Sequence, residues 1–321
     1  MASAYYSSAT LFAAIECGVF GALAEEGGTA DGLAARLHLS PRGVRLLLDA
    51  CAALGLLVKT GERYANSPAA ARCLVPGAPH DLSQAIRYNR DVFAAWGRLP
   101  ELVRTGRPVE PPGLHLGADP ERTRRFVLAM HGRALGIGRA VVPLLDLGGC
   151  RRLLDLAGGP GTYAVLLAQA NPGLACTVVD LPPVAAVAAE LIAGAGMSGR
   201  VTALPGDYHT LPFPGGMDAV TIFGALHQES PEAIRDILRR AHAALVPGGR
   251  IFILDLMTDA TRTQPAFSAL FAVNMALTTD NGWVFSDADI AGWLSEAGFA
   301  GIAVRPAPPP MPHWLASGVR K

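Results

Sequence analysis

The chain has 321 residues, half of them apolar and 17% charged, and its 27 basic residues are balanced by 27 acidic ones. This length and composition predict about two globular domains with a large core, and the absence of net charge leaves no overall field to attract nucleic acid or anionic lipid. The 36 glycines and 25 prolines are too few for a collagen-like or low-complexity chain. Together with the balanced charge, they exclude collagen-like, disordered and histone-like proteins.

The N-terminal sequence, the longest uncharged stretch and the cysteine pattern predict a cytoplasmic protein. The first ten residues lack the basic and apolar regions of a secretion signal. The longest stretch without a charge, residues 156–179, is interrupted by glycine and proline, so we expect no membrane-spanning helix. The five cysteines form no CxxC motif and no cysteine–histidine spacing of a zinc site, which predicts reduced thiols and no bound metal.

Residues 1–80 contain helical patterns over 9–24, 30–37 and 41–55, followed by a predicted hairpin that turns at Thr60-Gly61. Three helices and a hairpin are typical of a mainly α winged-helix domain. A DNA-binding domain needs a basic face, whereas this segment carries six basic and six acidic residues. We therefore expect a packing or dimerisation module and no nucleic-acid partner.

The rest of the chain divides into a helical connector, residues 81–140, and an α/β segment, residues 141–321. From Arg152 onwards, short apolar strands alternate with helices as far as a strand that ends at Leu256. Two more helices and two closing strands follow. This order predicts a Rossmann-like parallel sheet with helices on both faces.

A glycine turn between the first strand and the first helix of this segment predicts a ligand site. The turn contains Gly158, Gly159 and Gly161, which allow a ligand to approach the backbone at a helix N-terminus. Asp180 ends the next strand, where a carboxylate can accept both hydroxyls of a ribose. The same segment also satisfies the dinucleotide fingerprint, so NAD stays an alternative.

Two acidic residues favour S-adenosylmethionine (SAM) over NAD. Asp155 stands just before the glycines, where the cationic amino-acid tail of SAM needs a negative partner. Asp207 ends the third strand, with Tyr208 beside it, and is placed to reach an adenine amine. The two closing strands at the end of the domain also favour SAM over NAD.

Motifs along almost the whole chain resemble those of the SAM-dependent O-methyltransferases of plant phenolic and bacterial secondary metabolism. In order they are LFAAIECGVF, FVLAM, LLDLAGGPG, VVDLP, GDY, FGALHQESPE, ALVPGGRIFILD and FSDADIAGWLSEAGF. The resemblance implies a winged-helix dimerisation domain, a connector that contributes to the dimer and the substrate pocket, and a class I methyltransferase domain. It also implies a homodimer, SAM as cofactor and a small-molecule acceptor.

The resemblance also implies roles for the matching residues. The three glycines would line the methionine part of SAM, Asp180 and Leu181 would hold the ribose and the adenine edge, and Asp207 and Tyr208 would bound the adenine. The histidine of GALHQESPE, His227, would be the general base, and Asp255 at the end of the fifth strand would orient its imidazole.

A base is needed because a hydroxyl is a poor nucleophile until it loses its proton, and histidine can accept that proton at physiological pH. The alternative interpretation of His227 is a loop or capping histidine before Ser230-Pro231.

Candidate acceptor-binding residues are Met130, His131, Phe223 and Asn274.

Three positions depart from the family pattern. His227 is followed by Gln228-Glu229, where many relatives have aspartate and tryptophan; Phe223 replaces a residue that is often polar; and Ala157 precedes the glycines where relatives have another glycine. The first two changes affect the orientation of the base and the acceptor side of the site. We expect the third change to have little effect on the site.

The resulting prediction is a SAM-dependent methyltransferase that methylates a hydroxyl of a small aromatic or polyketide-like metabolite. The alternatives are methylation of carbon or nitrogen, a SAM-binding relative without methyl transfer, a winged-helix ligand-sensing regulator and an NAD-dependent oxidoreductase.

Overall fold

The computed structural model describes residues 1–78, 80–111, 113 and 117–321. The chain forms two compact units, residues 1–93 and 94–321, so the segment 81–140 is divided between them. Among the described residues, no helix has the length and apolarity needed to cross a bilayer. No group of three or more potential metal ligands was found in that part of the chain either.

The first unit is helical with a small antiparallel sheet. Its elements are α1 (Tyr5–Glu16), α2 (Val19–Ala22), β1 (Gly28–Thr29), α3 (Ala30–Leu37), α4 (Pro41–Ala53), β2 (Leu57–Thr60), β3 (Arg63–Asn66), α5 (Pro68–Cys73) and α6 (Ser83–Asp91). The predicted hairpin is the β2–β3 pair, and β1 adds a third strand beside β3. Phe20, Leu33, Leu48 and Tyr64 are buried in its core.

The continuous helix predicted over residues 9–24 is wrong in its extent. The chain is already helical at Tyr5, α1 ends at Glu16, and Gly18 adopts a left-handed φ of 73° before α2 begins. Glycine adopts this conformation readily, so a helical spacing of apolar residues continues across a point where the helix itself is interrupted.

The second unit contains a seven-stranded sheet that is covered on both faces. Its strands are β4 (Arg152–Leu156), β5 (Ala175–Asp180), β6 (Val201–Pro205), β7 (Met217–Phe223), β8 (Leu245–Leu256), β9 (Phe299–Pro306) and β10 (His313–Arg320). Its helices are α7 (Phe93–Gly97), which begins at the boundary, α8 (Leu99–Thr105), α9 (Pro120–Val141), α10 (Thr162–Ala170), α11 (Pro182–Gly194), α12 (Pro231–Ala244), α13 (Ala266–Thr278) and α14 (Asp287–Glu296).

The strand order is β6-β5-β4-β7-β8-β10-β9. Strands β4 to β8 are parallel, and the two closing strands are antiparallel, with β10 between β8 and β9. Because the order reverses between β4 and β7, the carboxyl ends of β4, β5, β7 and β8 meet at one edge, where sheets of this kind bind ligands. The predicted Rossmann-like sheet is confirmed.

Candidate active site

The glycine turn connects β4 to α10 with a backbone that few side chains allow. Gly159 and Gly161 have positive φ, at 54° and 71°. A Cβ on Gly158 would stand 2.6 Å from both Asp155 Oδ2 and Val178 Cγ1. Ala157 also has a positive φ of 51°, so the alanine that departs from the family pattern occupies a position that favours glycine.

Asp155 lies next to this turn, and only one of its two carboxylate oxygens accepts a hydrogen bond from the described protein. The residue is fully buried, and its Oδ1 accepts a hydrogen bond from Thr221 Oγ1 at 2.7 Å. Its Oδ2 is buried without a protein partner. Burial raises the pKa of Asp155 to about 7, against the Thr221 hydrogen bond and with a smaller contribution from Asp180. A buried carboxylate oxygen without a partner is costly unless a ligand supplies a donor.

Asp180 joins the end of β5 to the glycine turn. Its Oδ2 accepts from the amide of Gly159 at 2.7 Å, and its Oδ1 accepts from the amide of Leu181 at 2.8 Å. Each oxygen keeps a second lone pair for a hydroxyl. Burial raises the pKa of Asp180 to about 6, although both amide hydrogen bonds oppose the shift.

His227 and Asp255 form a buried pair. His227 lies in a 3-10 turn, Leu226–Gln228, just after β7, and its Nδ1 is 2.6 Å from Asp255 Oδ1. The amide of His227 also donates to Asp255 Oδ2 at 3.3 Å. Because a carboxylate only accepts, the ring hydrogen lies on Nδ1 and leaves Nε2 as the acceptor. The ring of Phe271 on α13 meets the imidazole edge-on at 5.0 Å.

Asp207 and Tyr208 belong to a larger polar cluster that the sequence did not predict. Tyr208 donates to Glu229 Oε1 at 2.5 Å, while His209 lies between Asp207 and Glu229. The indole of Trp283 donates to the carbonyl of Glu229 at 2.7 Å, and its amide donates to the carbonyl of His227 at 3.0 Å. The sequence signal for this cluster is Glu229, two residues after His227, at a position where many relatives have tryptophan.

The four candidate acceptor residues lie on three different elements, α9, β7 and α13. On α9, Met130 is half-buried, and His131 Nδ1 is 2.7 Å from Thr162 Oγ1 at the start of α10; burial lowers the pKa of His131. Phe223 is buried and packs edge-on against Tyr163 at 5.0 Å. The side-chain oxygen of Asn274 on α13 accepts from the indole of Trp96 at 3.0 Å.

These residues fit the chemistry of SAM. The unpartnered Oδ2 of Asp155 suits an ammonium group, and Asp180 has lone pairs for ribose hydroxyls. The missing side chain of Gly158 lets the turn pack closely on Asp155 and Val178. Both carboxylates lie at the edge of the sheet where His227 and Asp255 also lie.

Comparison with known proteins decides the family. Residues 110–300 match the O-methyltransferase domain, and residues 1–76 match the O-methyltransferase dimerisation domain. The chain belongs to the O-methyltransferase family.

Relatives in this family span the whole chain. The methyltransferase is 35% identical over its full length to a 3-hydroxy-5-methyl-1-naphthoate 3-O-methyltransferase of Streptomyces sahachiroi, of which it covers 94%. It is 36% identical, over 93% of its length and 89% of the relative's, to the tetracenomycin polyketide synthesis 8-O-methyl transferase of Streptomyces glaucescens. It is also similar to a solved structure, human N-acetylserotonin methyltransferase in complex with SAM, with a TM-score of 0.91, 26% identity, and coverage of 99% of this chain and 95% of that one.

The methyltransferase is therefore a SAM-dependent enzyme with a dimerisation domain, as the resemblance implied.

Proposed function

We propose that the protein methylates a hydroxyl group of a small aromatic or polyketide-like acceptor, with His227 as the general base. The observation that carries this proposal is the 2.6 Å contact between His227 Nδ1 and Asp255 Oδ1. The naphthoate and tetracenomycin acceptors in the names of the two Streptomyces relatives support the acceptor class.

SAM supplies a methyl group on a positively charged sulfur, which is already activated for attack by a nucleophile. Catalysis then depends mainly on positioning the acceptor and removing its proton. His227 Nε2 takes the proton of the acceptor hydroxyl as the oxygen becomes the nucleophile. Asp255 holds the ring in the required tautomer and offsets the positive charge that forms on it.

The unpartnered Oδ2 of Asp155 and the position of Asp180 beside the glycine turn support a SAM site here. Asp155 would bind the ammonium group of the amino-acid tail, and Gly158, Gly159 and Gly161 would line that tail. Asp180 would accept from the ribose hydroxyls. Leu181 would border the adenine together with Asp207 and Tyr208.

Further proposals concern the acceptor side and the assembly. Met130, His131, Phe223 and Asn274 contribute to the acceptor pocket, directly or by supporting it. The protein is a homodimer built by the first unit, and it works in the cytoplasm without a nucleic-acid or membrane partner.

The test is a methyl-transfer assay with SAM and a series of hydroxynaphthoates. We expect a product 14 mass units heavier, with the new methyl on oxygen by NMR. His227→Ala should lower kcat by about 100-fold or more, while the Kd for SAM, measured by calorimetry, stays close to that of the wild type. Asp255→Asn should lower kcat as well, because an amide can donate to Nδ1 and favour the wrong tautomer.

Two results would contradict the proposal. Full turnover by His227→Ala would remove the deprotonation step, and a methyl found on carbon or nitrogen would replace O-methylation with one of the alternatives.

A further inference from the structure

A cluster of three ionisable side chains connects two loops at the edge of the sheet. Asp207 and His209 lie in the loop that follows β6, and Glu229 lies in the segment between His227 and α12. We call this arrangement the His209 bridge. It connects the loop assigned to the adenine of SAM with the segment that carries the general base.

The two ring nitrogens of His209 each face a carboxylate. Nδ1 is 2.7 Å from Asp207 Oδ1, and Nε2 is 2.9 Å from Glu229 Oε2. A neutral imidazole carries only one hydrogen on nitrogen, so it can donate to one carboxylate and not to both. Both contacts are hydrogen bonds to ionised carboxylates when the ring is an imidazolium.

The surroundings support a cation at this position. Glu229 is only 7% exposed, and its other oxygen already accepts from the hydroxyl of Tyr208. Burial disfavours the charged ring, but the hydrogen bonds with Glu229 and Asp207 outweigh it and raise the pKa of His209. Burial and the neighbouring Glu229 raise the pKa of Tyr208 well above its ordinary value, so its hydroxyl stays a donor.

The other charged groups near the bridge lie on α12 and at the end of β5. Arg240 donates to the carbonyl oxygens of Tyr208 and His209, at 2.7 and 3.0 Å, and lies 3.5 Å from Asp236. Asp180 acts on Tyr208 over a longer distance. Arg240 therefore supports the backbone of the loop and also acts electrostatically on the Asp207 carboxylate, whereas the ring of His209 contacts that carboxylate directly.

We propose that His209 is a positioning residue for SAM, whose imidazolium holds Asp207 in place by bridging it to Glu229. The bridge uses Oδ1 of Asp207, and Oδ2 has no hydrogen bond within the described parts of the chain, so it is available to an adenine amine. This inference rests on the proposed assignment of Asp207 and Tyr208 to the adenine. It implies that SAM binds more weakly once His209 loses its charge.

The first experiment measures the Kd for SAM of His209→Gln by calorimetry at pH 7. A glutamine can hydrogen-bond one carboxylate but cannot bridge both with a positive charge, and we expect binding to weaken about tenfold. His242→Gln is the matched control: His242 lies on α12 and packs against Phe299, away from the site, so its Kd should equal that of the wild type. Circular dichroism melts check that both variants are folded.

A second measurement distinguishes positioning from a purely structural role. The ratio of the two Kd values, variant to wild type, should fall towards one as the pH rises above the raised pKa of His209. The amino group of SAM titrates equally in both proteins and does not affect this ratio. By linkage, SAM should also raise the pKa of His209 in an NMR titration of the wild type with labelled histidine.

Glu229→Gln and Asp207→Asn complete the test. If the bridge acts as a unit, His209→Gln/Glu229→Gln should bind SAM no more weakly than the weaker single variant. A Kd ratio that stays constant with pH, or a pKa of His209 that SAM does not move, would overturn the bridge. Wild-type affinity in Asp207→Asn would instead overturn the adenine assignment, and the inference with it.

Discussion

At the scale of single residues, Asp155 combines burial, charge and an unused oxygen. The free protein holds this carboxyl with a pKa of about 7 because burial penalises its ionised form. An ammonium group at Oδ2 would favour that ionised form, so binding and ionisation reinforce each other. The affinity for SAM should therefore depend on pH near neutrality.

Asp155→Asn tests this dependence. Wild-type affinity for SAM should weaken as the pH falls from 8 to 6, because protonation of Asp155 removes the negative charge. The variant should bind about 10-fold to 100-fold more weakly at pH 8, the loss expected for a hydrogen bond between charged groups. It should also lose the part of the pH dependence centred near 7. Calorimetry at pH 6, 7 and 8 gives both results.

Asp146→Asn is a matched control for Asp155→Asn, because the Asp146 side chain is exposed and pairs with Arg250. It should bind SAM as the wild type does. If Asp155→Asn follows the wild-type curve across this pH range, Asp155 does not bind the ammonium group.

Some residues of the site were predictable and others were not, for a physical reason. Asp155 and Asp180 lie at the carboxyl ends of consecutive strands and the glycine turn follows the first of them, so their spacing in sequence indicates their position at one sheet edge. His209, Glu229 and Trp283 meet only in three dimensions, over separations of 20 and 54 residues. The positive φ of Ala157 could not be predicted either, because the sequence around it carries no signal for the backbone angle.

At the scale of elements, the loop after α13 supports the segment that carries His227. Trp283 contacts this segment through two hydrogen bonds, and Gly282 places it there by packing on the last turn of α13. A Cβ on Gly282 would stand 2.5 Å from the carbonyl carbon and oxygen of Met275 and would also clash with the Thr279 hydroxyl. Backbone atoms cannot rotate away, so the loop would have to move.

Gly282→Ala should therefore destabilise the protein and impair catalysis, although Gly282 is outside the proposed site. Overpacking of this kind costs about 1–3 kcal/mol, which lowers Tm by roughly 2–4 °C per kcal/mol. We expect kcat to fall about tenfold, because displacement of Trp283 releases the carbonyls of His227 and Glu229. Calorimetric melts and the methyl-transfer assay measure both effects.

Gly292→Ala is the control for the glycine substitution. Gly292 lies in α14 with nothing within 4 Å of an added Cβ, so alanine there should be neutral or stabilising and leave kcat unchanged. Equal melting temperatures and activities for the two variants would show that the Gly282 loop adapts without moving Trp283.

The elements of the sheet were easier to predict than the breaks between helices. Buried parallel strands are short segments rich in apolar residues, and β4, β5 and β7 could be predicted from such segments. The interruption of α1 at Gly18 and the two-residue strand β1 have no such signal. A two-residue strand is defined by its partner β3, and not by its own residues.

At the scale of the whole molecule, the proposed homodimer rests on the dimerisation domain and on α1. This helix carries no charged residue before Glu16 and exposes Tyr5 and Tyr6, at 54% and 62%. A helix with so little charge is seldom left in water. We therefore expect α1 to be covered in the dimer.

Tyr6→Asp should weaken this dimer. Sedimentation velocity of the wild type should give twice the chain mass of 33.4 kDa, and the variant should shift towards monomer at low micromolar concentration because it places a charge in the apolar interface. Val58→Asp, which adds the same charge to the exposed side of β2, should stay dimeric. A variant Tyr6→Asp that is as dimeric as the wild type would place the interface elsewhere.

The position of β10 has a consequence for biosynthesis. Residues 313–320 fill the place between β8 and β9, so until the ribosome has translated them the edge of β8 that faces β10 is unpaired over residues 250–256, most of which are apolar. Such an edge can pair with another nascent chain. The sheet can be completed only after the last of its strands has been translated, and we expect a chain truncated before residue 313 to be prone to aggregation.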